Sequence, residues 1–223
     1  MKKAIFTKEW LKTRLSFFLS CSMAVAVAVY AVLSMNRLIE LKGVDHFWLI
    51  MLLKDNMFVD ILKYTPVLIG IAIGVSQMVP EMSQKRLKLT LHLPFSQNKL
   101  IALMLSVGLL ELLGVFLLQL SIIYIYDSSI LPYELVNRVV LTTLPWYFAG
   151  FTAYLFTAAI CLEGTWKMRI ILGLLCVSIL MLYFLQPTPE AYNGMVLIII
   201  LSSLLLTLLS FGSVIRFKEG HQN

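Results

Sequence analysis

The chain has 223 residues, of which 60% are hydrophobic and 13% are Asp, Glu, Lys or Arg, with a formal net charge of +6. Soluble domains carry roughly 25% charged residues, so this composition excludes a surface that faces water on all sides and predicts an all-α polytopic membrane protein. The positive charge is spread over predicted loops, where it sets membrane orientation, and it therefore indicates contact with the lipid bilayer and no nucleic-acid partner.

The first 14 residues carry five Lys and Arg residues and precede the first long apolar run. These basic residues are spread over too long a stretch for a cleavable signal peptide, and no small-residue cleavage site follows them. We expect a cytoplasmic amphipathic helix that lies on the membrane and leads into the first span. The apolar side chains that would rest on the membrane surface are Ile5, Trp10 and Leu11.

Apolar runs of about 20 residues predict six transmembrane helices, because that length crosses the hydrocarbon core of a bilayer. Six helices and their loops use nearly the whole chain, so residues 1–223 are predicted to form a single transmembrane domain. Gly70 and Gly74 form a GxxxG pair, which allows close approach of another helix. A short outer segment at residues 46–53 is predicted to lie in the interface. The predicted spans are residues 15–35, 61–79, 100–126, 141–162, 170–185 and 195–215.

The distribution of basic residues predicts the orientation of the chain. Thirteen of the 18 Lys and Arg residues fall on one side of the predicted membrane, in the N-terminal segment, residues 80–99, residues 163–169 and the C-terminal segment. Basic residues are retained in the cytoplasm, so both termini are predicted to be cytoplasmic. The outer loops are short and leave no domain for a soluble receptor, which disfavours import through a binding protein.

Motifs of the common catalytic and metal-binding sites are missing from the sequence. It contains no G-x-x-x-x-G-K-[ST] for nucleotide phosphates, no H-E-x-x-H and no G-x-S-x-G, and its three histidines are scattered over both sides of the predicted membrane. Cys21, Cys161 and Cys176 each stand alone in an apolar run, which favours buried packing over metal or redox chemistry. We therefore expect no catalytic residues, no metal ligands and no cofactor in this chain.

The inner segment at residues 80–99 has the most informative pattern. A charged beginning is followed by leucines at alternate positions, and Pro94 ends the run before the third span. Strict alternation favours a strand, but an isolated strand at a membrane surface would leave its backbone groups unpaired, so we predict a short helix. Two interpretations stay open: a solvated loop whose positive charge keeps it inside, or a helix that docks into a cytoplasmic partner.

This segment resembles the permeases of type-2 ABC transporters. In that family a Glu follows the second span and a leucine-rich stretch ends in Leu-Pro-x-Ser before the third, as Glu81 and the run RLKLTLHLPFS do here. The six spans, the cytoplasmic N-terminal helix and the proline-interrupted outer hairpin between the last two spans are also similar. The Gly-Thr pair that often follows the Glu is absent. The resemblance implies that six residues couple the chain to an ATPase: Glu81, Arg86, Leu87, Leu89, Leu91 and Pro94.

The resemblance also implies a mechanism. Residues 81–93 would form a coupling helix seated in a groove of a separate ABC ATPase subunit, which would bind ATP and Mg. ATP binding would close two ATPase subunits and rock two permease halves between inward and outward states. The chain would work with a second copy or a sister permease, as an exporter in the bacterial cytoplasmic (inner) membrane.

Two other classes of function are weighed against the permease. The first is a non-transporting membrane scaffold or assembly factor, in which the inner loop merely docks a cytoplasmic partner. The second is an intramembrane enzyme, which the missing motifs disfavour.

Glu111 lies near the middle of the third predicted span, where an ionisable side chain is costly unless it is paired or near water. Gly108, Val115 and Gln119 share its helical stripe, which indicates that this face points into the bundle or a cavity. Two roles stay open. Glu111 lines a pathway or binds a cationic group, or it is a protonated or hydrogen-bonded residue that locks helices together.

Small and polar residues form stripes on two more spans. Such stripes usually pack helices together, so packing is favoured over contact with a substrate. One stripe lies on the fourth span at Tyr147, Gly150, Tyr154, Thr157 and Cys161, and the other lies on the sixth span at Ser203, Thr207 and Ser210.

Overall fold

The computed structural model describes residues 2–43, 60–83, 96–186 and 188–195, together with the single positions Trp48, Met51, Ile198, Ile199, Leu201, Ser202, Leu205 and Gly212. Almost all of these residues are helical and none lies in a β-strand, which confirms the all-α prediction for the described part of the chain. Five long helices account for most of them: α1 (Lys2–Lys42), α2 (Thr65–Ser83), α3 (Gln97–Ile130), α4 (Tyr133–Leu162) and α5 (Trp166–Tyr183). Short 3₁₀ turns, Asp60–Leu62 and Asn193–Met195, precede α2 and follow α5.

Each of these five helices is long and apolar enough to cross a membrane. At a rise of 1.5 Å per residue, α1 is about 61 Å long and α3 about 51 Å, so both exceed the hydrocarbon core of roughly 30 Å. The spans predicted at residues 15–35, 100–126 and 141–162 fall inside α1, α3 and α4, because hydropathy marks only the apolar part of a helix. The spans predicted at residues 61–79 and 170–185 are shifted by two to four residues from the ends of α2 and α5. The five helices indicate a membrane-spanning protein.

The helix α1 runs without a break from the basic N-terminal segment into the first span. Ile5, Glu9 and Thr13 recur at four-residue spacing, and the face they share is buried against the bundle. Ile5, which we expected at the membrane surface, therefore lies in the core, whereas Leu11 is exposed. The prediction for Ile5 is wrong. The other two residues on its face, Glu9 and Thr13, are polar, so the sequence has no apolar stripe that would indicate a buried face.

The first four helices pack into one bundle. The helix α2 makes its most extensive contact with α4, and α1 makes its most extensive contact with α3, while α5 packs chiefly along α4. The core has two parts, one around Ile73 and Leu112 and the other around Met35 and Val136. Within the described part of the chain, α5 leaves most of its apolar side chains exposed.

The helices α2 and α4 meet through glycines. A Cβ atom on Gly70 would lie 2.2 Å from the carbonyl oxygen of Gly150, and one on Gly150 would lie 2.7 Å from the carbonyl oxygen of Pro66. A Cβ atom on Gly74 would meet the Cγ2 atom of Thr157 at 2.9 Å. Because no side chain fits between backbones this close, the close approach predicted from the GxxxG pair is confirmed.

Part of the predicted architecture lies outside the described residues. The sixth span at residues 195–215 and the interfacial segment at residues 46–53 are described at only a few positions. The count of six spans therefore stays a prediction. So does a coupling helix at residues 84–93, whereas residues 81–83, which the prediction assigned to it, form the last turn of α2. The predicted site residues that fall outside are Arg86, Leu87, Leu89, Leu91, Pro94, Ser203 and Thr207.

Candidate functional site

A cluster of charged and polar side chains lies inside the bundle where α1, α2, α3 and α4 meet. Charged groups in such a place are costly unless ion pairs and hydrogen bonds replace water. Glu9, Gln77, Glu81 and Tyr154 are fully buried, and Glu111 is 5% exposed. We define the polar cluster as eight residues: Lys8, Glu9, Lys12, Thr13, Gln77, Glu81, Glu111 and Tyr154.

Ion pairs join the N-terminal part of α1 to the last turn of α2. The Oε1 atom of Glu81 lies 2.9 Å from the Nζ atom of Lys8 and 3.0 Å from that of Lys12. Lys12 also lies 2.7 Å from Oε2 of Glu9, three residues earlier on α1. The last turn of a helix carries partial negative charge, which disfavours a carboxylate. The α2 helix therefore does not stabilise the charge of Glu81, and the two lysines of α1 do.

Gln77 connects these ion pairs to α3 and α4. Its Nε2 atom donates to Oε2 of Glu9 at 3.1 Å and to the backbone carbonyl oxygen of Met104 at 2.8 Å. The hydroxyl of Tyr154 donates to Oε1 of Gln77 at 2.7 Å. Gly108 leaves room for this arrangement, because a Cβ atom there would lie 2.2 Å from the Tyr154 hydroxyl oxygen and 2.6 Å from Oε1 of Gln77.

Glu111 joins the polar cluster from the middle of α3. Its Oε1 atom forms a hydrogen bond with the hydroxyl oxygen of Thr13 on α1, and that oxygen also lies 3.0 Å from the backbone carbonyl oxygen of Glu9. The Oε2 atom of Glu111 has no hydrogen-bond partner among the described residues. A buried contact between side chains thus links α1 to α3.

Five members of the polar cluster are not predicted from sequence. Its two lysines belong to a basic segment, where membrane orientation alone explains their charges. The signal that could have revealed the others is spacing, because Glu9 and Thr13 are four residues apart on α1, and Gln77 lies four residues before Glu81 on α2. Residues at that spacing share a helix face, and both faces are buried.

The site residues predicted from sequence that meet in the polar cluster are Glu81, Glu111 and Tyr154. Gln119 lies two turns further along α3, where its Nε2 atom is 3.4 Å from the carbonyl oxygen of Ala24. Thr157 also lies apart, and its hydroxyl donates to the carbonyl oxygen of Ala153 in its own helix at 2.7 Å. The polar cluster therefore unites part of the predicted set and leaves these two residues outside it.

A groove of about 630 Å³ opens between the last turns of α2, the end of α4 and the beginning of α5. Its walls are mainly apolar, and Trp166 and Arg169 line the side formed by α5. The guanidinium of Arg169 lies 5.2 Å from the Trp166 ring and donates two hydrogen bonds, of 2.9 and 2.8 Å, to the carbonyl oxygen of Glu163. The groove thus lies at the end of the bundle where α2 leads into residues 84–95.

The polar cluster is suited to coupling helices. Separating α1 from α2 would leave buried charges without partners, and breaking a buried pair in this way costs about 3–5 kcal/mol. The N-terminal part of α1 and the end of α2 should therefore move as one unit. Among the residues that the structure describes, no group of three His, Cys, Asp or Glu side chains is arranged to hold a metal ion.

Comparison of the chain with protein-family models, with curated proteins and with solved structures finds no match in any of the three.

Proposed function

We propose that the chain is the permease subunit of an ATP-driven ABC transporter and works as an exporter. It would form the translocation pathway with a second copy or a sister permease, in a bacterial cytoplasmic membrane with both termini inside. A separate ABC ATPase subunit would bind ATP and Mg and supply the energy. The observation that carries the proposal is the position of Glu81, which is fully buried at the end of α2 and bonded to Lys8 and Lys12.

Glu81 begins the sequence pattern that resembles ABC permeases, and residues 84–95 follow shortly after it. An ATPase that pushes on residues 84–95 would move the end of α2 first. The ion pairs with Lys8 and Lys12 would carry that movement into α1, and Gln77 would carry it into α3 and α4. Such a connection favours a transporter, in which force at the membrane surface must shift packed helices.

The first test is recovery of the ATPase. The tagged chain is purified from its native membranes in mild detergent, and we expect an ABC ATPase subunit to co-purify and to hydrolyse ATP at a rate that depends on the chain. Replacing Leu87, Leu89 and Leu91 together by Ala should abolish recovery of the ATPase at unchanged abundance of the chain. Thr90→Ala, in the same segment, is the matched control and should retain the ATPase.

A second test separates the transmission of force from docking. Glu81→Gln removes the charge that holds Lys8 and Lys12, so the ATPase should still co-purify while its stimulation by the chain falls severalfold. Glu134→Gln, at an exposed position in the first turn of α4, is the control. The proposal is wrong if no ATPase is recovered or if hydrolysis does not depend on the chain. Recovery of a different cytoplasmic partner would support the scaffold function instead.

A further inference from the structure

The charges of the polar cluster do not balance when every group is ionised. Lys8 and Lys12 supply two positive charges, whereas Glu9, Glu81 and Glu111 supply three negative ones. None of the three carboxyl groups belongs to a residue more than 5% exposed. An unpaired buried charge is so costly that the group changes its protonation instead. One of the three carboxyl groups should therefore carry a proton.

Hydrogen bonds identify which carboxyl group carries it. The Oε2 atom of Glu9 lies 2.7 Å from the Lys12 ammonium and accepts from the amide of Gln77. The Oε1 atom of Glu81 accepts from both lysines of the polar cluster. These two carboxylates are each matched to a lysine ammonium group. Glu111 takes part in none of the ion pairs formed by the described residues.

The two lysines of the polar cluster are already bonded to the other two carboxylates. Lys12 is shared between Glu9 and Glu81, and Lys8 is bonded to Glu81. Thr13 on α1 contacts Glu111 directly, and the charges of Glu9 and Lys12 on α1 and the hydroxyl of Tyr154 on α4 lie close enough to interact with it. The other members of the polar cluster are Lys8 on α1 and Gln77 and Glu81 on α2.

The hydroxyl of Thr13 has one hydrogen and two neighbouring oxygens that could accept it. One is the carbonyl oxygen of Glu9 at 3.0 Å, four residues earlier, which is a common acceptor for Thr in a helix. The other is Oε1 of Glu111. Both contacts are hydrogen bonds only if Glu111 supplies a second hydrogen. We propose that Glu111 is a proton-binding site, whose carboxyl group takes up a proton from solvent and donates that hydrogen to the hydroxyl oxygen of Thr13.

The bound proton would hold α1 and α3 together. When the proton leaves, the Thr13 hydroxyl can serve only one of its two acceptors, and the polar cluster gains a negative charge without a cation. Proton occupancy of Glu111 thus controls the packing of α1 on α3. This site does not depend on the proposed transport function, and its tests use no ATPase.

Infrared spectroscopy of the purified chain in lipid nanodiscs tests the site. A protonated carboxyl group gives a C=O stretching band that a carboxylate lacks. We expect this band at neutral pH, its loss in Glu111→Gln and its retention in the exposed control Glu134→Gln. Asp127 is also buried, and a proton there would give a band that persists in Glu111→Gln. If no band depends on Glu111, the proposal is overturned.

Thermal stability measured against pH gives an independent readout, which remains usable if Glu111→Gln folds poorly. The wild-type chain should lose stability in a step as the pH rises and Glu111 releases its proton. Glu111→Gln, whose amide can still donate to Thr13, should lack that step. Thr13→Val removes the acceptor, so the C=O band should shift in frequency and not disappear. A wild-type chain without the step, or an unshifted band in Thr13→Val, contradicts the proposal.

Discussion

Tyr154 is fully buried in α4, and its hydroxyl donates to Oε1 of Gln77 at 2.7 Å. The same hydroxyl oxygen lies 3.2 Å from the carbonyl oxygen of Leu105 on α3. Because the Tyr154 hydroxyl occupies the amide oxygen of Gln77, the amide nitrogen is left to donate to Glu9 and Met104. One hydroxyl group therefore orients the side chain that connects four helices.

Tyr154→Phe should destabilise the protein, since it removes a buried donor and leaves Oε1 of Gln77 without that partner. Losing one partner of a buried hydrogen bond costs about 1–3 kcal/mol, so we expect a lower midpoint of thermal unfolding in detergent. Tyr124→Phe is the matched control, because Tyr124 is 46% exposed on α3. Equal midpoints for the two variants would show that the Tyr154 hydroxyl contributes nothing to stability.

At the scale of helices, α2 and α4 approach each other closely because Gly70 and Gly150 have no side chains at their contact. Each glycine lowers intrinsic helix stability by about 1 kcal/mol relative to Ala. That cost is offset by van der Waals contact between the two backbones, which is a main driving force for helix association in lipid. The short distance between the helices also keeps Gln77 of α2 within hydrogen-bonding reach of Tyr154 of α4.

Gly70→Ala should push α2 and α4 apart, because the new Cβ atom would lie 2.2 Å from a backbone oxygen that cannot move independently. Overpacking of this kind costs about 1–3 kcal/mol, and we expect a lower midpoint of thermal unfolding. Gly173→Ala is the control on α5, where a Cβ atom would meet nothing within 4 Å. It should be neutral or stabilising, since Ala is the better helix former by about 1 kcal/mol. A midpoint for Gly70→Ala at or above that of Gly173→Ala would contradict this account.

At the scale of the whole molecule, the polar cluster lies towards one end of the bundle. That end contains the N-terminal part of α1, the end of α2, the end of α4 and the groove beside α5. The positive-inside rule predicts that it faces the cytoplasm. Residues 84–95 follow α2 in the sequence, and the proposed ATPase subunit would bind to them.

Labelling of cysteines tests this orientation. In a background where Cys21, Cys161 and Cys176 are replaced by Ala, Lys3→Cys should be protected from a membrane-impermeant maleimide in right-side-out vesicles. Asn193→Cys, after the fifth span, should react, because five crossings place it on the opposite side from Lys3. Both positions are exposed, so both should react once the vesicles are permeabilised. The reverse pattern would refute the orientation and the docking of an ATPase at residues 84–95.

The sequence also predicts one helix contact in part. Gly70 and Gly74 indicate that another backbone comes close to α2, since the spacing puts both glycines on one face. They do not say which helix it is. The partner α4 follows from the structure, where Gly150 lies opposite Gly70. Glu111 is a similar case. An ionisable residue in the middle of an apolar run is predicted to face the interior of the bundle, but the sequence does not identify Thr13 as its partner.

The sequence by itself determined that this protein is an all-α chain with long apolar helices, because hydropathy and length are properties of short windows of residues. Only the tertiary structure decided which polar residues meet. Lys12 and Glu81 are 69 residues apart in the chain, and Thr13 and Glu111 are 98 apart. Contacts over such separations depend on how whole helices pack, which no local pattern encodes. Lys12 and Thr13 therefore acquire their role in the polar cluster only when α1 lies against α2 and α3.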